Sequence, residues 1–257
     1  MCEGDCDSNA DCKSGLFCFK RDGFAPVPGC PGGGVGDWDY CVQTHVFKSK
    51  AELEKAVQAY DANSTVAIET YGPIADWDVS AITDMSYLIF NLKNFNADIS
   101  NWNTSGVTDM KHMFYFASAF NQPLRFDTSS VTDMRDMFAG AAAFNQPLSV
   151  GSSSVTTARR ALLDMDAGCA FDTSSVTDMS GMFRGAKAFN QLLSVGSSSV
   201  ATAGRALLDM DAGCAFVTSS VKDMSAMFRD ATAFEQLLHF DTSSVTDMRD
   251  MFAGAAA

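Results

Sequence analysis

Six cysteines lie within the first 41 residues, and of all the residues in the chain they are the clearest candidates for covalent chemistry. Such thiol density is typical of disulfide-linked segments made in an oxidising compartment. The surrounding sequence is rich in glycine and proline and poor in apolar residues, so covalent bridges must stabilise what a small core cannot. We predict a disulfide-rich head over residues 1–45 that uses the following cysteines: Cys2, Cys6, Cys12, Cys18, Cys30 and Cys41.

The pairing of these six cysteines is left open, because their spacing does not choose among the many combinations. A zinc site is the alternative use of the thiols. The segment has no CxxC pair, and His45 is the one histidine near it, so we expect no metal there.

Acidic and amide side chains alternate in the head as they do at the start of a calcium-binding loop: Asp5, Asp7, Asn9 and Asp11. Such a loop needs a glycine and later a bidentate glutamate, where this chain has Ala10 and Leu16. Turn formation between cysteines is the ordinary role of these residues. They are therefore weak calcium candidates.

Catalytic motifs are missing from the sequence. The three histidines, His45, His112 and His239, are scattered, and none has the partners of a nucleophilic triad. Neither a dinucleotide fingerprint nor a phosphate-binding loop occurs. We expect a non-enzymatic protein that uses no cofactor.

The charge balance narrows the range of partners. The formal net charge is -13, with 31 acidic and 18 basic residues and no basic cluster to neutralise phosphates, so we expect no nucleic-acid partner. No apolar run is long enough to span a bilayer, and the cysteines favour a secreted or cell-surface location. Sequons at Asn63 and Asn103 are compatible with N-glycosylation.

A helix is expected directly after the head. In SKAELEKAVQAY, Ser49 and Glu52 have the spacing of a capping box, and apolar residues then fall on one helical face. We interpret residues 46–76 as a helical N-terminal cap, because a stack of repeats needs its first apolar face covered.

From residue 77 onward the sequence repeats itself. The hydrophobic residue that opens each VTDM-like tetrad recurs at intervals of 21 to 25 residues: Ile82, Val107, Val131, Val155, Val176, Val200, Val221 and Val245. Apolar residues at helical spacing follow each tetrad, and FNQPL-type segments are typical of short strands. We predict an α/β, leucine-rich-repeat-like solenoid over 77–257, with a short helix and a short parallel strand in each of about eight turns.

Methionine and phenylalanine recur at matching places in these units, and we expect them to form the buried core between turns. We expect the tetrad aspartates in the first turn of each helix, where the helix dipole favours negative charge. A calcium ladder along them is a less favoured alternative. These aspartates are Asp84, Asp109, Asp133, Asp178, Asp223 and Asp247.

Two units, 155–175 and 200–220, are three residues short and belong to a 45-residue tandem duplication. Alignment places Cys169 and Cys214 in buried strands two coils apart. At about 4.8 Å per coil this separation is about 9.6 Å, beyond the Cα distance of about 7 Å that a disulfide tolerates. We predict two buried free thiols.

The repeats resemble a known family. Segments such as GPIADWDVSAITDMSYL, FNADISNWNTSGVTDMKHMF and FNQPLRFDTSSVTDMRDMF are similar to the BspA-like leucine-rich-repeat surface-protein family over about residues 46–257. The cysteine-rich head is similar to a segment found beside such repeats in proteins of marine algae. The resemblance implies a surface-exposed or exported solenoid with adhesive or binding roles and no catalytic residues.

Three functions are compatible with these features. The leading hypothesis is an adhesion or recognition module that binds a protein or a glycan through the solenoid face. A wall or matrix rod that self-associates end to end is the second, because residues 240–257 repeat 126–143 and stop within a unit, which predicts a truncated chain with an uncapped edge. An ice- or mineral-binding surface, suggested by the ladders Thr104/Thr128/Thr173 and Thr108/Thr132/Thr177, is favoured less, because we expect these threonines to cap helices.

Overall fold

A computed structural model describes residues 3–4, 6, 11–13, 16–19, 39–148, 171–193 and 216–255. The chain divides into two compact units, Met1–Ala81 and Ile82–Ala257.

The first unit begins with a small antiparallel sheet. Its strands are β1 (Glu3–Gly4), β2 (Leu16–Phe19) and β3 (Tyr40–Gln43), and β3 lies in the middle. Cys18 of β2 lies opposite Cys41 of β3 in the strand register, and both side chains are buried. Cysteine side chains therefore fill the interior that apolar residues would occupy in a larger domain.

Two helices follow, α1 (Lys50–Ala62) and α2 (Ser64–Tyr71). The predicted helix is confirmed in α1: the Ser49 hydroxyl accepts a hydrogen bond from the Glu52 backbone N–H at 3.3 Å, and the apolar face is buried. The Glu52 carboxylate accepts from the Lys48 backbone N–H at 3.2 Å, one residue earlier than in a standard capping box.

Asn63 separates the two helices and accounts for the start of α2. Its side-chain oxygen accepts a hydrogen bond from the Val66 backbone N–H at 3.3 Å, which caps the second helix. Phe47 and Trp77 then pack together with ring centroids 4.9 Å apart, and both are buried.

The second unit is a row of coils, each starting at a VTDM-like tetrad. The third tetrad residue of each coil forms one parallel bridge with its counterpart in the next coil, through Asp84, Asp109, Asp133, Asp178, Asp223 and Asp247. Backbone hydrogen bonds continue this pairing. In the coil from Val107, for example, alternate N–H groups of the residues after the tetrad donate to carbonyls of the coil from Val131.

No α-helix forms in the described residues of this second unit, although we predicted one per coil. Each described coil has residues with positive φ five and nine places after its first residue, such as Asp136 and Gly140 in the coil from Val131. A left-handed residue every fourth position interrupts an α-helix. The chain instead forms tight turns, with hydrogen bonds such as that from Met137 N–H to the Met134 carbonyl at 3.2 Å.

The predicted core is confirmed by burial. In the coils from Val107, Val131, Val176 and Val221, the opening valine and the methionines and phenylalanine three, six and seven places after it are fully buried. Phe138 stacks on Phe114 and Phe183 of the neighbouring coils, with centroids 5.3 and 5.7 Å apart. Each ring thus lies between two equivalent rings, so the coils bury together what one coil would expose.

The two threonine ladders have different surroundings, and neither caps a helix as we expected. Thr128 is fully buried, and its hydroxyl donates to the Asp172 carbonyl of the next coil at 2.7 Å. Thr132 is exposed, and its hydroxyl donates to the Thr108 carbonyl of the preceding coil at 3.3 Å. Both ladders join coils, but only the first satisfies polar groups in the interior.

The described coils number six, where eight were expected. Asp133 pairs directly with Asp178, and Asp178 with Asp223, so the described bridges join the coils from Val131, Val176 and Val221 in that order. Leu148 and Leu193 are buried, and so are Phe171 and Phe216. The tetrads at 155 and 200 belong to residues 149–170 and 194–215, which lie outside the described residues.

Candidate functional site

Disulfides account for the described cysteines of the head. Cys6 pairs with Cys18 and Cys12 with Cys41, with Cα–Cα distances of 5.8 and 5.5 Å. The sulfur atoms of Cys6, Cys12 and Cys41 lie within 4.8 Å of one another, but a disulfide sulfur is not a thiolate ligand. The predicted bonding of these four cysteines is confirmed, and Cys2 and Cys30 lie outside the described residues.

Of the four calcium candidates in the head, the structure describes only one. Asp5, Asp7 and Asn9 lie outside the described residues, and Asp11 is exposed in a short turn. Among the described residues, the disulfide-bonded cysteines are the one group of potential ligands close enough to share an ion.

Both glycosylation candidates are exposed. Asn63 caps α2, and the Asn103 side-chain oxygen accepts hydrogen bonds from the Ser105 backbone N–H at 3.2 Å and from the Ser105 hydroxyl at 2.8 Å. Accessibility of both amides satisfies the steric requirement of a sequon.

The prediction of free thiols at Cys169 and Cys214 falls outside the described residues. Phe171 and Phe216, each two residues after one of these cysteines, lie in neighbouring coils, because Thr173 donates to the Val217 carbonyl at 2.7 Å.

The tetrad aspartates have local partners. The Asp109 carboxylate accepts from the Lys111 backbone N–H at 2.9 Å, and its other oxygen pairs with the Lys111 ammonium at 2.7 Å. The hydrogen bond from Asp109 raises the pKa of Lys111, although this ammonium is largely solvated. The same turn recurs at the other tetrads, so these carboxylates close turns and do not begin helices as we expected.

The most distinctive surface of the second unit is a patch of aromatic side chains on the coils from Ile82 and Val107. Tyr87, Phe90 and Phe116 are 44%, 43% and 49% exposed. We call this patch the aromatic face. It consists of Tyr87, Phe90, His112, Tyr115 and Phe116.

Three residues of the aromatic face have left-handed backbone conformations: Tyr87 at φ 60°, His112 at φ 56° and Phe116 at φ 55°. The equivalent positions of later coils hold residues such as Gly181 and Gly185, which adopt this conformation at little cost. A bulky side chain there costs about 1 kcal/mol or more. The aromatic face therefore combines strain with exposure, neither of which stabilises the fold.

Stacking holds the rings in place. The rings of Tyr87 and His112 are parallel, with centroids 4.5 Å apart, and those of Phe90 and Tyr115 stack at 5.3 Å. Phe116 meets Tyr115 edge to face at 4.6 Å. The face is thus a preformed cluster in which each ring has an aromatic neighbour.

A charged pair borders the aromatic face. The Arg184 guanidinium donates to one oxygen of Asp136 at 2.8 Å and lies 5.9 Å from the centroid of the Tyr115 ring. The other Asp136 oxygen lies 3.4 Å from Nε2 of His112. Asp136 thus connects the aromatic face to a cation two coils further along the row.

The groups of this arrangement can make binding contacts. Aromatic rings bind apolar ligand surfaces, and the adjoining hydroxyl, guanidinium and carboxylate can orient polar groups. Within the described residues of the face, no serine or cysteine nucleophile lies next to His112. The sequence reasoning missed this site, although the letters SYLIF and KHMFYF depart from the charged and small residues of later units.

None of the described helices is both long and apolar enough to span a membrane. Comparisons of the chain with curated proteins and with solved structures found no match. A family profile described as Mycoplasma protein of unknown function, DUF285, matches residues 51–169, 163–212 and 214–257. These matches cover most of the sequence, so the chain belongs to the DUF285 family.

Proposed function

We propose that this protein is a non-enzymatic interaction module of the cell surface or extracellular space, which binds a protein or a glycan through the aromatic face. In this proposal the row of coils is the solenoid expected from the sequence, and it serves as a rigid support. The observation that carries the proposal is the presence of exposed, backbone-strained aromatic residues at positions where later coils have glycine, aspartate or alanine.

Stability alone does not account for these residues. Exposed aromatic side chains contribute little burial, and left-handed Tyr87 and Phe116 add strain. Strain of this kind persists at ligand-binding and catalytic sites, because the surrounding structure holds it in place. Since the exposed rings offer apolar and stacking contacts, we assign the face to binding.

The disulfides support a location outside the cytosol. Cys6–Cys18 and Cys12–Cys41 bridge strands and turns of a segment with a very small core, and such bridges persist in oxidising compartments. The resemblance of the repeats to BspA-like surface proteins agrees with this location and with an adhesive role.

A second candidate is a rod that associates end to end. The coil from Val245 leaves Phe252 half exposed, and Leu237 beside it is 77% exposed. Together with neighbouring residues they line a shallow cavity of about 340 Å³. An apolar surface of this kind favours contact with another chain.

An array of glycans and extracellular proteins, probed with the oxidised protein, tests the first proposal. We expect hits that are lost in the double variant Tyr87→Asn/Phe116→Gly, whose new residues tolerate a left-handed backbone. The variant Leu192→Ser is the matched control, because Leu192 is 54% exposed and lies outside the aromatic face. An empty array, or hits that the double variant retains, would reject the proposal.

A further inference from the structure

We propose that His112 makes the aromatic face respond to pH, because protonation of its imidazole opposes the stack with Tyr87 and opens the face. This inference concerns the regulation of the site in the proposed function, and its relevance to binding rests on that function. The change in the rings themselves can be measured without any ligand.

The imidazole of His112 is held on several sides. Tyr87 stacks parallel to one side of the ring at 4.5 Å, and Tyr115 is tilted against it at 5.3 Å. Nε2 lies 3.4 Å from an oxygen of Asp136. Nδ1 is buried and is the one buried side-chain nitrogen or oxygen of the described residues without a hydrogen-bond partner.

The unpartnered Nδ1 determines that protonation of His112 opposes the stacked arrangement. A neutral imidazole can carry its proton on Nε2, toward Asp136, and leave a lone pair on Nδ1. A protonated imidazole must place a second N–H on Nδ1, where the structure offers no acceptor. Burying an unsatisfied, charged donor is costly, so protonation favours an arrangement in which water reaches Nδ1.

The neighbouring charges do not cancel this effect. Asp136 attracts an imidazolium, but its other oxygen is already paired with Arg184 at 2.8 Å. Burial is the largest influence and lowers the pKa of His112 below its ordinary value, against the attraction of Asp136. The charged groups that act on the ring, on its own coil and on the next, are Asp136, Arg135, Asp133 and Lys111. Tyr87 and Tyr115 contact the ring, and Arg184 pairs with Asp136.

The lowered pKa of His112 makes the stability of the folded protein depend on pH. The folded protein binds a proton on His112 less readily than the unfolded chain does. The contribution of neutral His112 to the free energy of unfolding is therefore fully present above the unfolded pKa of about 6.5, and it is lost as the pH falls through the lower folded value. The stacked face should therefore be complete near neutral pH and open under mildly acidic conditions.

NMR of the full chain labelled in its histidine and tyrosine rings tests the inference. We expect the His112 ring to titrate with a midpoint below 6.5 and the NOE between the Tyr87 and His112 rings to disappear below that midpoint. His239→Gln should leave both observations unchanged, because His239 is exposed and lies in the coil from Val221.

His112→Asn supplies the second measurement, since asparagine tolerates the left-handed backbone and does not titrate in this range. Its urea midpoint should fall less than that of the wild type when the pH is lowered from 7.5 to 5. A His112 midpoint at or above 6.5, a ring NOE that persists below the midpoint, or equal stability losses in the two proteins would overturn the inference. An empty binding array would reject the proposed function and leave these measurements unaffected.

Discussion

The ring of Phe116 occupies the space in which a side chain at Gly140 would lie. Gly140 also has a φ of +71°, which an L-amino acid side chain disfavours. The glycine in the coil from Val131 thus gives room to an aromatic ring of the preceding coil. The residue type at position 140 therefore depends on the Phe116 side chain of the neighbouring coil.

Gly140→Ala should therefore destabilise the protein by about 2 kcal/mol, from left-handed strain together with displacement of the Phe116 ring. Gly185→Ala is the matched control, because its φ is +66° but a new Cβ would meet only backbone atoms at 3.8 Å or beyond. We expect it to cost about 1 kcal/mol. Urea unfolding measures both, and equal losses would contradict the described packing of Phe116.

Part of the fold could be predicted from the sequence. Burial of Val131, Met134 and Phe138 was correct, because their spacing places them on one side of either a helix or a row of tight turns. The same spacing could not distinguish these two structures. The distinction depends on left-handed residues such as Asp136, and the letter Asp does not by itself indicate a positive φ.

Thr128→Val should cost about 1 to 3 kcal/mol, because it removes the hydrogen bond from the buried Thr128 hydroxyl to the Asp172 carbonyl while keeping the side-chain shape. Thr132→Val, in the exposed ladder, should change the unfolding free energy by less than about 0.5 kcal/mol. Denaturant titration of the two variants checks the contrast. Similar losses of unfolding free energy for the two variants would contradict the burial of Thr128 and the exposure of Thr132.

Peptide mapping of the unreduced protein should recover the linked pairs Cys6–Cys18 and Cys12–Cys41. The measurement is digestion under conditions that block thiol exchange, followed by mass spectrometry with and without reductant. Recovery of Cys6 linked to Cys12, or of Cys18 linked to Cys41, would contradict the described head. The spacing of the cysteines could not supply this pairing, because pairing depends on which strands become neighbours.

Sedimentation velocity separates the two candidate functions. A binding module should remain monomeric as its concentration rises, whereas a rod should assemble through surfaces such as Leu237 and Phe252. We expect a single monomeric species at micromolar concentrations. Concentration-dependent assembly that Leu237→Ser abolishes would favour the rod.

The count of coils and the aromatic face were harder to predict. A period of 21 to 25 residues indicated eight units, but the direct pairing of Asp133 with Asp178 is a long-range contact that no local pattern reveals. The exposed rings of Tyr87 and Phe116 are likewise invisible to a pattern that assigns aromatic residues to the core. Position within the coil, and not residue type, determines their exposure.

The affinity of the strongest array ligand for single variants of the aromatic face tests the central proposal most directly. Isothermal titration calorimetry should show at least a roughly tenfold loss for Tyr87→Asn and for Phe116→Gly, which corresponds to about 1.4 kcal/mol for each ring removed. Leu192→Ser should bind like the wild type. Binding by both aromatic variants within twofold of the wild type would contradict the assignment of this face as the binding site.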